Sequence, residues 1–108
     1  MPHYLIQFSQ TPETWARMIA NPEDRREKVR QATESFGGKL HGYWYSFGEA
    51  DGFVLIEASD NVAAAAEAVA VAASGAFSAI KTTVLLTVEE MLAALKKAQG
   101  VSYSPPGA

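Results

Sequence analysis

His41 is the side chain best suited by type to acid–base work, because imidazole titrates near neutrality. It stands in Lys39-Leu40-His41-Gly42-Tyr43-Trp44-Tyr45-Ser46-Phe47, a run rich in aromatic residues. A general base needs an enclosed ligand and an orienting partner, here Glu57 or Gln7, with Tyr43 or Tyr45 donating a hydrogen bond. A small ligand wants apolar walls and a few fixed polar groups. On that basis Gln7, His41, Tyr43, Tyr45, Glu57 and Lys81 are the ligand-binding candidates. The tyrosines serve equally as interface packing with their hydroxyls at the rim. Lys81 either meets an anionic ligand or guards a sheet edge against further pairing.

Other chemistries find less support. Metal binding would need His3, His41 and a carboxylate to converge, yet no spacing resembles a metal motif and His3 lies at the exposed chain start. No metal is expected. His41 could serve as an axial haem ligand, but nothing else points that way and no cofactor is expected. The absence of cysteine excludes disulfides, thiolate metal ligands and cysteine nucleophiles. No Ser-His-Asp order, phosphate loop or dinucleotide fingerprint is present. At the turn Gly48-Glu49-Ala50-Asp51-Gly52, Glu49 and Asp51 could form a carboxylate pair at a pocket mouth. The alternative reading has Asp51 bonding backbone N–H groups while Gly48 and Gly52 allow the turn's dihedrals.

These residues must be positioned by a small number of elements. His3 to Ser9 alternates, with Tyr4, Ile6 and Phe8 on one side, and reads as a half-buried strand. Thr11-Pro12-Glu13 opens a helix that Asn21-Pro22 kinks or restarts, and Gly37-Gly38 ends it. Lys39–Phe47 and Phe53–Ser59 are strands joined by a turn short enough to force antiparallel pairing. An alanine-rich helix runs from Asp60 to Ser74, and Phe77 to Leu86 is the fourth strand. Thr87-Val88-Glu89-Glu90 is a capping box opening a helix through Lys97. The order β-α-β-β-α-β implies an α+β, ferredoxin-like fold, a four-stranded antiparallel sheet with helices on one face plus a C-terminal helix. Residues 1–98 form the single domain and 99–108 a flexible tail.

Half of that sheet is left uncovered. If Leu40, Gly42 and Trp44 meet the helices, then His41, Tyr43 and Tyr45 join Leu5, Phe53 and Leu55 on the open face. Such a face is too apolar for a monomer in water, so self-association as a homodimer or higher assembly is expected, with the C-terminal helix as the rival cover. The core leans on Trp15, Phe36, Trp44 and the aliphatic strands. Net charge is −3, and the one basic stretch, Arg25 to Arg30, is broken by Glu27. Nucleic acid is therefore not expected as a partner. No apolar run reaches membrane-spanning length and no signal peptide is apparent, so the expected setting is cytoplasmic with no membrane partner.

The succession Thr14-Trp15, Asn21-Pro22-Glu23-Asp24-Arg25, Gly37-Gly38 and Gly48-Glu49-Ala50-Asp51-Gly52 resembles the GYD-domain family, small bacterial and archaeal proteins, across residues 1–90. Asp51 matches the signature aspartate, whereas Ala50 stands where the signature tyrosine belongs. The resemblance implies the dimeric α/β-barrel group of ferredoxin-like proteins. That wider group includes cofactor-free monooxygenases, small-lactone isomerases and haem enzymes, and tends to bind small ligands between sheet and helices. The expected function is an oligomeric module that binds a small apolar or aromatic ligand, or a partner, through the open sheet face. The alternative is a small cofactor-independent monooxygenase or isomerase with His41 as general base.

Overall fold

The structure is a computed structural model and describes residues 1–107. Its elements are β1 (His3–Gln10), α1 (Pro12–Ala20), α2 (Arg26–Ser35), β2 (Lys39–Tyr45), β3 (Gly52–Glu57), α3 (Asn61–Ala72), β4 (Phe77–Leu85) and α4 (Val88–Ala98). Local signals start the helices where expected. Thr11 caps α1 by accepting from the Thr14 N–H, and Asp60 caps α3 by accepting from the Ala63 N–H. α2 has Arg25 at its N-cap without a side-chain cap; instead the Asp24 carboxylate, after Pro22, accepts from the Arg26 N–H at 3.0 Å where the helix restarts. Gly37, at φ 77°, ends α2 in the left-handed conformation that glycine adopts without strain. β2 stops at Tyr45, two residues short of the expected end, and leaves Phe47 fully exposed in the loop.

The four strands are antiparallel in the order β2-β3-β1-β4, the ferredoxin-like arrangement. Tyr4, Phe8, Val54 and Ile56 point to the helix side and form the core with Ala58 and Ala64, and Val29 of α2 packs against it. Alanine at positions 63 and 64 brings α3 close to the sheet.

Two expectations are corrected. The sheet is open and uncurled, with β2 and β4 as unpaired edges. Four strands span only about 14 Å, whereas a barrel whose interior just fits side chains takes about eight. The dimeric α/β-barrel architecture implied by the resemblance is therefore not seen; the fold is an open ferredoxin-like sheet. Trp44 is not a core residue, since it stands 54% exposed on the uncovered face.

The C-terminal helix does not cover that face. α4 contains no buried residue and leaves Met91, Leu92 and Leu95 exposed on one side. The molecule is accordingly long, 59 × 34 × 22 Å. No helix among the described residues is long and apolar enough to cross a membrane.

Candidate functional site

A bulge in β2 decides which side chains share the open face. Leu40 pairs with Ile56, but the next pair is Gly42 with Leu55, so His41 is an extra residue in the ladder. An added residue reverses the inside–outside alternation of everything after it. His41 stays on the open side, while Tyr43 is brought opposite Val54 and Tyr45 opposite Gly52, on the helix side. Trp44, opposite Phe53, moves to the open side, where its ring takes the space a side chain on Gly42 would need.

The uncovered face then reads as three rows across the sheet. One runs Trp44, Phe53, Gln7, Lys81, and the middle row is Gly42, Leu55, Leu5, Thr83. The third carries Lys39, Glu57, His3 and Leu85, with the bulged His41 beside it. An apolar middle is thus bordered by Gln7 and Lys81 at one end and by imidazoles and a carboxylate at the other.

His41 Nε2 lies 2.7 Å from Glu57 Oε2, a hydrogen bond, while His3 Nε2 stands 3.7 Å from Glu57 Oε1. The two imidazoles stack with centroids 5.5 Å apart. His3 reaches Glu57 because the two are direct register partners between β1 and β3, where facing side chains start close together. The hydrogen bond from His41, with the nearby charges of His3 and the N-terminal amine, holds the Glu57 carboxyl below its ordinary value. One donor atom from each of His3, His41 and Glu57 lies within 4.8 Å of those of the other two, so this trio could hold a metal ion.

Of the ligand-binding candidates, Gln7, His41, Glu57 and Lys81 share the open face, and Tyr43 and Tyr45 do not. The tyrosines sit on the other side with Phe8, Trp15 and an apolar cavity of about 60 Å³ between sheet and helices. Ile6, Val54, Phe77 and Tyr43 line that cavity, and Glu67 of α3 supplies a carboxyl to it. Burial raises the Tyr43 hydroxyl well above the usual phenol value, and its bond to Tyr45 at 3.4 Å adds to the shift. Burial likewise raises Glu67, although the Thr33 hydroxyl donates to it at 2.7 Å. No histidine lines this space, so His41 and the cavity lined by Tyr43 lie on opposite sides of the sheet.

Sequence reasoning passed over Glu67 and Thr33, and it set aside the convergence of His3 with His41 and a carboxylate that the structure shows. A lone glutamate in an alanine-rich helix was a readable sign of an inward carboxyl, and an isolated glycine inside a strand was a readable sign of a bulge. His3 and His41 are brought together by register, for which no local signal exists.

The turn carboxylates separate into different roles. Asp51 Oδ2 accepts from the Gln10 N–H at 2.8 Å and from the Trp15 indole at 3.3 Å, and the Asp51 N–H donates to the Phe8 carbonyl. It ties the hairpin loop to β1 and α1. Gly48 and Gly52 do not have positive φ; Gly52 is required instead because a Cβ there would overlap the Phe8 ring. Ala50 is buried. On α2 and the loop before it, Arg25, Arg26 and Arg30 pair with Glu23, Asp24 and Glu27, and Arg26 lowers the Asp24 carboxyl to about 2.

A protein-family model described as the GYD domain matches residues 4–95. No curated protein matches the chain.

Proposed function

The chain belongs to the GYD-domain family, and from that premise we propose that it is a binding module whose working surface is the open face of the sheet. The observation that carries this reading is the ordering of that face. Leu5, Leu55, Phe53 and the half-exposed Trp44 form a continuous apolar strip, with fixed polar groups at each end. A small aromatic or apolar ligand with one polar end fits such a surface: the strip buries its body, and Lys81 with Gln7, or His41 with Glu57, meets its polar group. The chain associates with itself through the same face, because an apolar strip of this extent is costly to leave in water. α4 supports that reading, since its exposed Met91, Leu92 and Leu95 leave the face free rather than cover it.

Two measurements test the surface directly. The aromatic anion 8-anilinonaphthalene-1-sulfonate should show saturable fluorescence enhancement with the native chain, largely lost in Leu55→Ser. Enhancement indifferent to Leu55→Ser overturns the ligand reading. Sedimentation velocity at micromolar concentration should show an assembly that Leu5→Lys dissociates; a native monomer overturns the self-association.

A further inference from the structure

His3, His41 and Glu57 come from three different strands, β1, β2 and β3, and meet on the open face where the β2 bulge turns His41 toward the β1–β3 pair. Two of the three are accounted for by a hydrogen bond, His41 to Glu57 at 2.7 Å. His3 is not. Its Nδ1 is buried without a hydrogen-bond partner, and its Nε2 faces Glu57 Oε1 at 3.7 Å, too far for a hydrogen bond. An imidazole stacked on a second imidazole and aimed at a carboxylate across such a gap gains little from the arrangement as a purely structural group.

The gap does fit an ion. A divalent metal bonded to a histidine nitrogen at about 2.0–2.1 Å and to a carboxylate oxygen at about 2.0–2.2 Å holds those two atoms roughly 3.3–3.5 Å apart at a tetrahedral angle. A contraction of a few tenths of an ångström, within reach of a side-chain adjustment, therefore closes the 3.7 Å gap onto the ion. We infer that His3, His41 and Glu57 form a binding site for a divalent transition-metal ion of the zinc type, with its remaining coordination position open to the ligand-binding face. Two imidazoles and one carboxylate are the mixed nitrogen–oxygen donor set of zinc, iron(II) and cobalt(II), and are unsuited to calcium or magnesium, which take oxygen. Three protein ligands with an open fourth position are the pattern of sites that bind or act on a further ligand, and the open sheet face supplies that access. The site stands on its own geometry and does not require the apolar-strip reading of the same face.

Entry of the ion breaks the His41–Glu57 hydrogen bond. His41 must present the Nε2 lone pair to the ion, with any ring proton carried on Nδ1. Three other charged groups lie around the trio: Lys39 is the register partner of Glu57, the N-terminal amine acts on Glu57, and Glu90 is within electrostatic reach of His3 and the amine. Glu90 favours a cation here; Lys39 and the amine oppose it.

The test uses the full chain without any histidine tag. Titration with Zn²⁺ followed by calorimetry, and with Co²⁺ followed by its visible absorption bands, should each show one ion per chain. Mg²⁺ should not compete. His3→Ala, His41→Ala and Glu57→Gln should each weaken Zn²⁺ by about 100-fold or more, the scale on which even outer-shell partners matter, with unchanged far-ultraviolet circular dichroism. Absence of Co²⁺ bands, displacement of Zn²⁺ by Mg²⁺, or Zn²⁺ binding that persists in the His3→Ala/His41→Ala double variant overturns the assignment. Leu55→Ser, which removes the apolar strip, should leave Zn²⁺ binding intact, and so separates failure of this site from failure of the ligand surface.

Discussion

The Trp44 ring fills the space that a side chain on Gly42 would occupy, on the opposite side of the sheet from the Tyr43 that lies between them in sequence. Alternation alone would place residues 42 and 44 together on either face; the bulge at His41 puts them on the open one. Gly42→Ala therefore pushes directly on Trp44. Because Trp44 is half-exposed it can swing aside, so the expected cost is at the lower end of overpacking, about 1 kcal/mol. The sharper readout is optical: the tryptophan emission of Gly42→Ala should shift to the red as Trp44 moves further into water. An unchanged spectrum would show that Trp44 does not rest on Gly42.

What was legible in the chain follows from the range of the signal. Thr11 with Pro12 and Thr87 with Glu90 announce helix starts because a cap acts within one turn, and both caps form. The strand order of a βαββαβ chain follows from connection lengths and handedness. Tyr43 and Tyr45 could not be placed by alternation, because one extra residue at His41 reverses the phase downstream of it. His3 met His41 through the β1–β3 register, a long-range property. The barrel came from family resemblance rather than from any residue, and four strands with two free edges do not close.

Asp51 should matter for stability and not for binding. Its carboxylate accepts from the buried Gln10 N–H and from the Trp15 indole, so Asp51→Ala strands two donors at the junction of β1, α1 and the hairpin loop. Leaving a buried donor unpaired costs about 1–3 kcal/mol. Urea denaturation should show a loss of that order, partly restored in Asp51→Asn, which keeps an acceptor oxygen. Zn²⁺ affinity should be unchanged in both, since Asp51 does not belong to the His3–His41–Glu57 trio.

Glu67 predicts a pH dependence with a definite sign. Burial raises its folded-state pKa above the ordinary 4.5, so the native state holds its proton more tightly than the unfolded chain does. The stability linked to that proton is fully present below pH 4.5 and is lost as pH rises through the raised value. Glu67→Gln keeps an acceptor for the Thr33 hydroxyl and removes the titration. Denaturation midpoints of the native chain and the variant should therefore diverge as pH climbs from 4.5 toward 8, with the variant the more stable at the upper end. Parallel curves across that range would place Glu67 in a solvated setting instead.

α4 should behave as a separate unit. It is an 11-residue helix without a buried residue, and isolated helices of that length are marginal in water. Its main local support is the capping box: the Thr87 hydroxyl accepts from the Glu90 N–H at 3.1 Å, and the Glu90 carboxylate accepts from the Thr87 N–H at 3.0 Å. That second bond holds the Glu90 carboxyl below its ordinary value. Thr87→Ala removes one half of the box, a loss of about 1 kcal/mol at a helix start. In a packed helix that loss would lower the global unfolding midpoint. Here the helix frays on its own, so the expected result is a fall in helical circular dichroism and in amide protection across Val88–Ala98, while the sheet amides and the denaturation midpoint stay where they were. If the chains associate and α4 takes part, the two effects recouple: raising protein concentration into the range of the assembly should restore protection to α4 in the native chain and make Thr87→Ala cost global stability. A concentration-independent α4 would confine self-association to the sheet face.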